Sequence, residues 1–147
     1  MLPVLAINLA FAGALPPAYR PGSFWAGIPG WLALAENAGR VAVTALPLAM
    51  AIGRSTARQR LGLVLYGIGL LAYAAGWAML VLAPESGWST SLFGFSAPAW
   101  LPALWLIGIG LAGRPYRGWV RPLFWLAAPV FLASHTAHAA LVFSRLG

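Results

Sequence analysis

The stretch 61-LGLVLYGIGLLAYAAGWAMLVLA-83 runs for 23 residues without a charge. A helical crossing of a bilayer takes about 20 mostly apolar residues, so this stretch predicts a transmembrane helix. Working outward, 92–113 and 122–143 read the same way, the first interrupted by Pro98 and Pro102 and the second by Pro129. The stretch 31–53 is a further span that carries Glu36, Asn37 and Arg40, and 2–19 is a shorter one cut by Pro16-Pro17. The fold expected is all-α: a polytopic helical membrane protein with five transmembrane helices, forming one integral membrane domain over 1–147. The alternative is four spans plus a short N-terminal segment that is re-entrant or a signal peptide. Ala10-Phe11-Ala12 resembles a cleavage site, but no Lys or Arg precedes the apolar run.

Composition agrees. Hydrophobic types make up 61 % of the chain and charged types 7 %, against roughly 25 % charged residues in a soluble domain. Disorder is excluded by the same figures. The chain has no cysteine, which excludes a disulfide scaffold.

All nine basic residues are arginines. Arg54, Arg58 and Arg60 follow one span; Arg114, Arg117 and Arg121 follow another, and alternation puts both groups on one side. The positive-inside rule makes that side cytoplasmic, which places the N-terminus inside and the C-terminus outside, in the cytoplasmic membrane of a bacterium. The net charge of +7 is thereby explained as topology, not as a nucleic-acid surface. The expected partners are membrane lipids, with anionic headgroups at the arginine-rich loops, and a second copy or a larger membrane complex. On the outer side Tyr19, Phe24, Trp25, Trp31, Trp88, Phe93 and Phe95 read as an interfacial aromatic belt. Glu85 reads as solvated.

Gly108, Gly110 and Gly113 match GxGxxG. That fingerprint needs a preceding strand and a following helix. Here the glycines end a span, so they read as close helix packing. Ala72/Gly76 and Ala133/Ala137 are further small pairs of that kind.

Glu36 and Arg40 cannot be moved out of the second span. Only thirteen residues, 41–53, follow Arg40, about 20 Å of helix against a hydrocarbon layer of about 30 Å. They are spaced i, i+4 with the acid first, the favourable order for an ion pair. Asn37, Arg40 and Thr44 extend a polar stripe. Ser134, His135 and His138 form a second stripe on the last span, with Thr136 pointing elsewhere. Counted from the outer ends of their spans, Glu36 and His138 both lie ~8 Å deep, with Arg40 at ~14 Å and His135 at ~12 Å. Tyr73 and Trp77 on the third span fall in the same layer. The expectation is one polar site in the outer half of the bilayer, made by Glu36, Asn37, Arg40, Tyr73, Trp77, His135 and His138. An intramembrane charge demands a named partner: Arg40 held by Glu36, the histidines completing the network. The competing reading is a polar clamp that only fixes helix packing.

The function expected is transport-type binding of a small anionic or amphipathic ligand. Proline breaks at Pro47, Pro98, Pro102 and Pro129 are candidates for gating, and Asn8 is a polar group on the first span. One alternative is an intramembrane lipid-modifying enzyme with Glu36 and His138 as acid and base, His135 being a further catalytic candidate. Another is an accessory or assembly subunit of a membrane complex. No cofactor is predicted. His135 and His138 share a helical face, and Met79 would add a thioether for copper. Without Cys or Asp, however, the ligand count falls short of a zinc site, and a haem would have one axial histidine at most.

Overall fold

The computed structural model describes residues 2–146. In chain order the elements are α1 (Leu2–Ala12), a 3-10 turn (Pro17–Tyr19), α2 (Pro21–Phe24), α3 (Gly30–Ala45) and a second 3-10 turn (Leu46–Ala49). Then come β1 (Met50–Ile52), α4 (Ala57–Leu82), α5 (Leu92–Phe95), α6 (Ala97–Trp100), α7 (Pro102–Ala112), β2 (Gly113–Pro115) and α8 (Val120–Phe143). The chain is mostly helical, as expected. The addition is a short antiparallel ribbon that pairs Met50 with Pro115 and Ile52 with Gly113.

The five-span count is corrected. Two described helices, α4 and α8, are long and apolar enough to cross a membrane. At 1.5 Å per residue they extend about 39 and 36 Å. The other three stretches are shortened or broken, and proline is the physical reason. Pro47 stands in the first turn of the 3-10 segment that follows α3. Pro98 and Pro102 take first-turn positions of α6 and α7, where a missing N–H costs nothing, so 92–113 is divided into three helices. The first stretch stops at Ala12, ahead of Pro16-Pro17. Pro129 lies inside α8, which continues past it.

Local signals account for the long helices. α4 opens with a capping box: Thr56 Oγ1 accepts from the Gln59 N–H at 3.2 Å, and Gln59 Oε1 accepts from the Thr56 N–H at 3.2 Å. Gly62 and Gly69 of α4 then meet α7 closely. A Cβ on Gly62 would lie 2.6 Å from the Ala112 nitrogen, and one on Gly69 would lie 2.6 Å from the Trp105 nitrogen. Gly108 reciprocates against Gly62 and Tyr66. The GxGxxG glycines therefore serve packing: Gly110 takes the ring of Trp125 and Gly113 lies in β2. Gly76 packs on Leu101, whereas Ala133 and Ala137 are exposed and bring no helix close.

α3 and α8 form the second extensive pair, running antiparallel. Gly39 makes the approach possible, since a Cβ there would lie 2.9 Å from the Phe131 Cα. Phe124, Val120, Leu106 and Val43 fill the centre and are almost fully buried. One turn beyond Gly39, this α3–α8 seam holds Glu36 opposite the histidines.

Candidate functional site

Rotation by about 100° per residue decides which α3 side chains reach α8. Leu32, Glu36, Gly39 and Val43 are the buried face of α3, so Glu36 enters the seam. Its carboxylate is 0 % exposed. Arg40 Nη2 donates to Glu36 Oε1 from one turn along the same helix. His135 Nδ1 is 3.0 Å from Oε1, and His138 Nδ1 is 2.5 Å from Oε2. One carboxylate thus gathers three cationic or titratable side chains from two helices.

His138 is fully buried, and its other nitrogen settles its proton count. Nε2 lies 2.9 Å from the Phe24 carbonyl oxygen, which only accepts, so Nε2 carries a proton. Nδ1 faces the carboxylate. The Glu36–His138 pair therefore holds one proton between Oε2 and Nδ1, and the pair is neutral whichever atom carries it. His135 has one acceptor, at Nδ1. Its Nε2 makes no hydrogen bond among the described residues.

The residues before α3 cover this group. The Phe24 and Trp25 rings lie 4.2 and 4.6 Å from the His138 ring, centroid to centroid. Tyr19 donates to the Phe95 carbonyl at 2.6 Å and packs on Phe95 and Trp77. From the far end of the chain Arg145 Nη2 donates to the Gly27 carbonyl at 2.9 Å, and Nη1 to that of Ala26. Beneath the cover is a cavity of about 240 Å³, lined by Arg40, His135, Tyr73, Trp77 and Asn8 together with Tyr19, Phe24, Trp25 and Phe95. Tyr73 donates to Asn8 Oδ1 at 2.6 Å, which ties α1 to α4 at the wall. A second hollow of about 200 Å³, lined by Val43, Thr44, Pro102 and Trp105, shares Asn8, Arg40, Tyr73, Pro98 and His135 with the first. Those five residues line both spaces.

Of the expected site residues, Glu36, Arg40, Tyr73, Trp77, His135 and His138 come together. Asn37 does not: it sits about 100° around α3 from Glu36, is exposed, and makes no side-chain hydrogen bond among the described residues. Ser134 turns back on its own helix, donating to the Val130 carbonyl at 2.8 Å. Met79 is also elsewhere, 41 % exposed beside Trp88 and Trp100. Glu85 is exposed.

The metal candidates change accordingly. Both nitrogens of His138 are spent on oxygen, and Met79 lies on another face. Among the described residues no group of three or more His, Cys, Asp or Glu is arranged to hold a metal ion. The acid–base pair of the enzyme reading is sealed as well. Glu36 and His138 are fully buried with their atoms turned to each other, which leaves His135 as the titratable imidazole on the cavity.

The aromatic belt is corrected in part. Trp31 and Phe93 are exposed, at 71 % and 59 %. Tyr19, Phe24, Trp25 and Phe95 instead fold inward as the cover. The sequence carries a partial signal for this: Pro16, Pro17 and Pro21 stiffen the segment around those rings. The Phe24 backbone carbonyl, which sets the state of His138, has no sequence signal at all. No protein-family model, curated protein or solved structure matches the chain, so the site is interpreted from its own geometry.

Proposed function

We propose that this chain is a polytopic membrane protein that binds a small anionic or amphipathic ligand in the aromatic-covered cavity and passes it along the bilayer normal. Exposed apolar side chains support the membrane setting. Leu61, Val64, Ile68 and Leu71 form a stripe on α4, each at least 50 % exposed, a pattern that suits acyl chains and not water. In this reading the proline-broken stretches complete the crossings beside α4 and α8. The six arginines of the two loops joined by the β-ribbon face the cytoplasm, and the covered cavity lies in the outer half of a bacterial cytoplasmic membrane.

One observation carries the ligand class: the unspent polar groups on the cavity wall are mostly donors. Arg40 uses one nitrogen on Glu36 and keeps its remaining N–H groups. Asn8 spends its oxygen on Tyr73 and keeps its amide N–H₂. The Trp77 indole N–H is buried without a partner among the described residues. An anionic head satisfies such a wall, and Tyr19, Phe24 and Phe95 suit an apolar body. The second hollow beyond Arg40 and His135 supports passage over simple storage.

The test is reconstitution. Proteoliposomes should take up a labelled aromatic carboxylate such as benzoate faster than protein-free vesicles, and Arg40→Gln should abolish the difference while leaving detergent-extracted protein monodisperse. Equal uptake by wild type and Arg40→Gln contradicts the proposal. An accessory subunit would lose assembly with Arg40→Gln and show no uptake in either form.

A further inference from the structure

We infer that the cavity selects a singly charged carboxylate with an apolar body and rejects the doubly charged analogue, because the charge fixed at the site sums to one. This rests on the proposed anion site and names its substrate class.

The count follows from hydrogen-bond partners. Arg40 contributes one positive charge. Glu36 and His138 share one proton between 2.5 Å neighbours while His138 Nε2 donates to the Phe24 carbonyl, so together they contribute none. His135 meets one acceptor, Glu36 Oε1 at 3.0 Å, which a single N–H satisfies, and it enters the sum as a neutral imidazole. Tyr73 donates to Asn8 and Tyr19 donates to Phe95; both are neutral phenols. These are the titratable and charged groups that face the cavity from α3, α4, α8 and the covering segment. One carboxylate beside Arg40 brings the sum to zero.

A second negative charge meets no second cation, only the neutral donors of Asn8 and Trp77. The acceptor left on the wall is the lone pair of His135 Nε2, and the Glu36 carboxylate lies directly behind that ring. Asn8 apart, the rest of the lining is aromatic and aliphatic. An unpaired charge in such surroundings is expelled or pays heavily in desolvation. A neutral amide in place of the carboxylate leaves the net positive charge of the site uncompensated and loses the strengthening that an ionised acceptor gives to hydrogen bonds.

The discriminating series keeps the ring constant. Binding to the purified full chain in nanodiscs at pH 7 is measured by calorimetry for benzoate, benzamide, terephthalate and terephthalamate, the last matching terephthalate in size with one charge fewer. Benzoate is expected to exceed benzamide, and terephthalamate to exceed terephthalate, each by about tenfold or more. Arg40→Gln, which takes the sum to zero, is expected to reverse the order of benzoate and benzamide. Terephthalate binding as tightly as terephthalamate overturns the charge count while benzoate binding leaves the anion site standing. The same is true if neither para-substituted compound binds, since length then decides. Benzamide equal to benzoate, or no binding of benzoate, overturns the anion site and this inference with it.

Discussion

Gly39 on α3 and Phe131 on α8 meet backbone to backbone, with room for no side chain between them. One helical turn away, the same two helices place Glu36 against His135 and His138. The approach and the polar cluster are one feature: hydrogen bonds of 3.0 and 2.5 Å exist because the helices are this close.

Gly39→Ala tests the dependence. A Cβ 2.9 Å from the Phe131 Cα forces α3 away from α8, and overpacking of this kind costs about 1–3 kcal/mol. The variant should melt at lower temperature in detergent and lose benzoate binding. Gly67→Ala on α4 is the control: its Cβ meets nothing within 4 Å, and loss of a mid-helix glycine should raise stability by about 0.5–1 kcal/mol.

Glu36→Gln removes the charge that Arg40, His135 and His138 share. Breaking a buried pair by deleting one partner costs about 3–5 kcal/mol, so the melting temperature should fall sharply. Glu85→Gln, at the other acid and exposed, should leave it unchanged. Similar melting of the two variants would show that the buried carboxylate holds nothing together.

Much of this cluster was legible in the sequence. Read as a span, the stretch has only thirteen residues after Arg40, too few to cross a hydrocarbon layer, so both charges were expected below its edge; Glu36 is fully buried, whereas the Arg40 side chain is 46 % exposed. Counting depth at 1.5 Å per residue put the histidines in the same layer. Depth does not give azimuth, however, and that is where Asn37 went astray: which face of α3 turns inward depends on its neighbours. The division of 92–113 was readable in kind, through Pro98 and Pro102, but not in extent, because a proline in a span produces either a kink or a new helix start. The inward fold of Phe24 and Trp25 was not readable, since aromatic residues at a membrane boundary suit a belt equally well.

Tyr19→Phe tests the cover. It deletes the 2.6 Å hydrogen bond to the Phe95 carbonyl, worth about 1 kcal/mol, and leaves the ring packing in place. Amide hydrogen exchange over residues 17–27 should quicken while exchange in α4 is unchanged. Unaltered exchange over that segment would mean that the hydroxyl does not hold the cover down.

Topology is directly accessible because the chain has no cysteine to remove. Single cysteines at Ser55 and Gly118 flank the arginine-rich loops, and those at Gly22 and Ser86 lie in the opposite connections. An impermeant thiol reagent applied to intact cells should label the Gly22 and Ser86 variants, and the Ser55 and Gly118 variants only after lysis. Labelling of Ser55 and Gly118 on opposite sides would be incompatible with the β1–β2 pairing.

The most direct measurement is the nitrogen-15 spectrum of the two imidazoles in the full chain at neutral pH, assigned through His135→Gln. His138 should show a protonated, slowly exchanging Nε2 coupled to the Phe24 carbonyl, and an Nδ1 proton shifted far downfield by sharing with Glu36; His135 should show one protonated and one bare nitrogen. A His138 with a bare or rapidly exchanging Nε2, unaffected by Glu36→Gln, would contradict the enclosed carboxylate–imidazole pair.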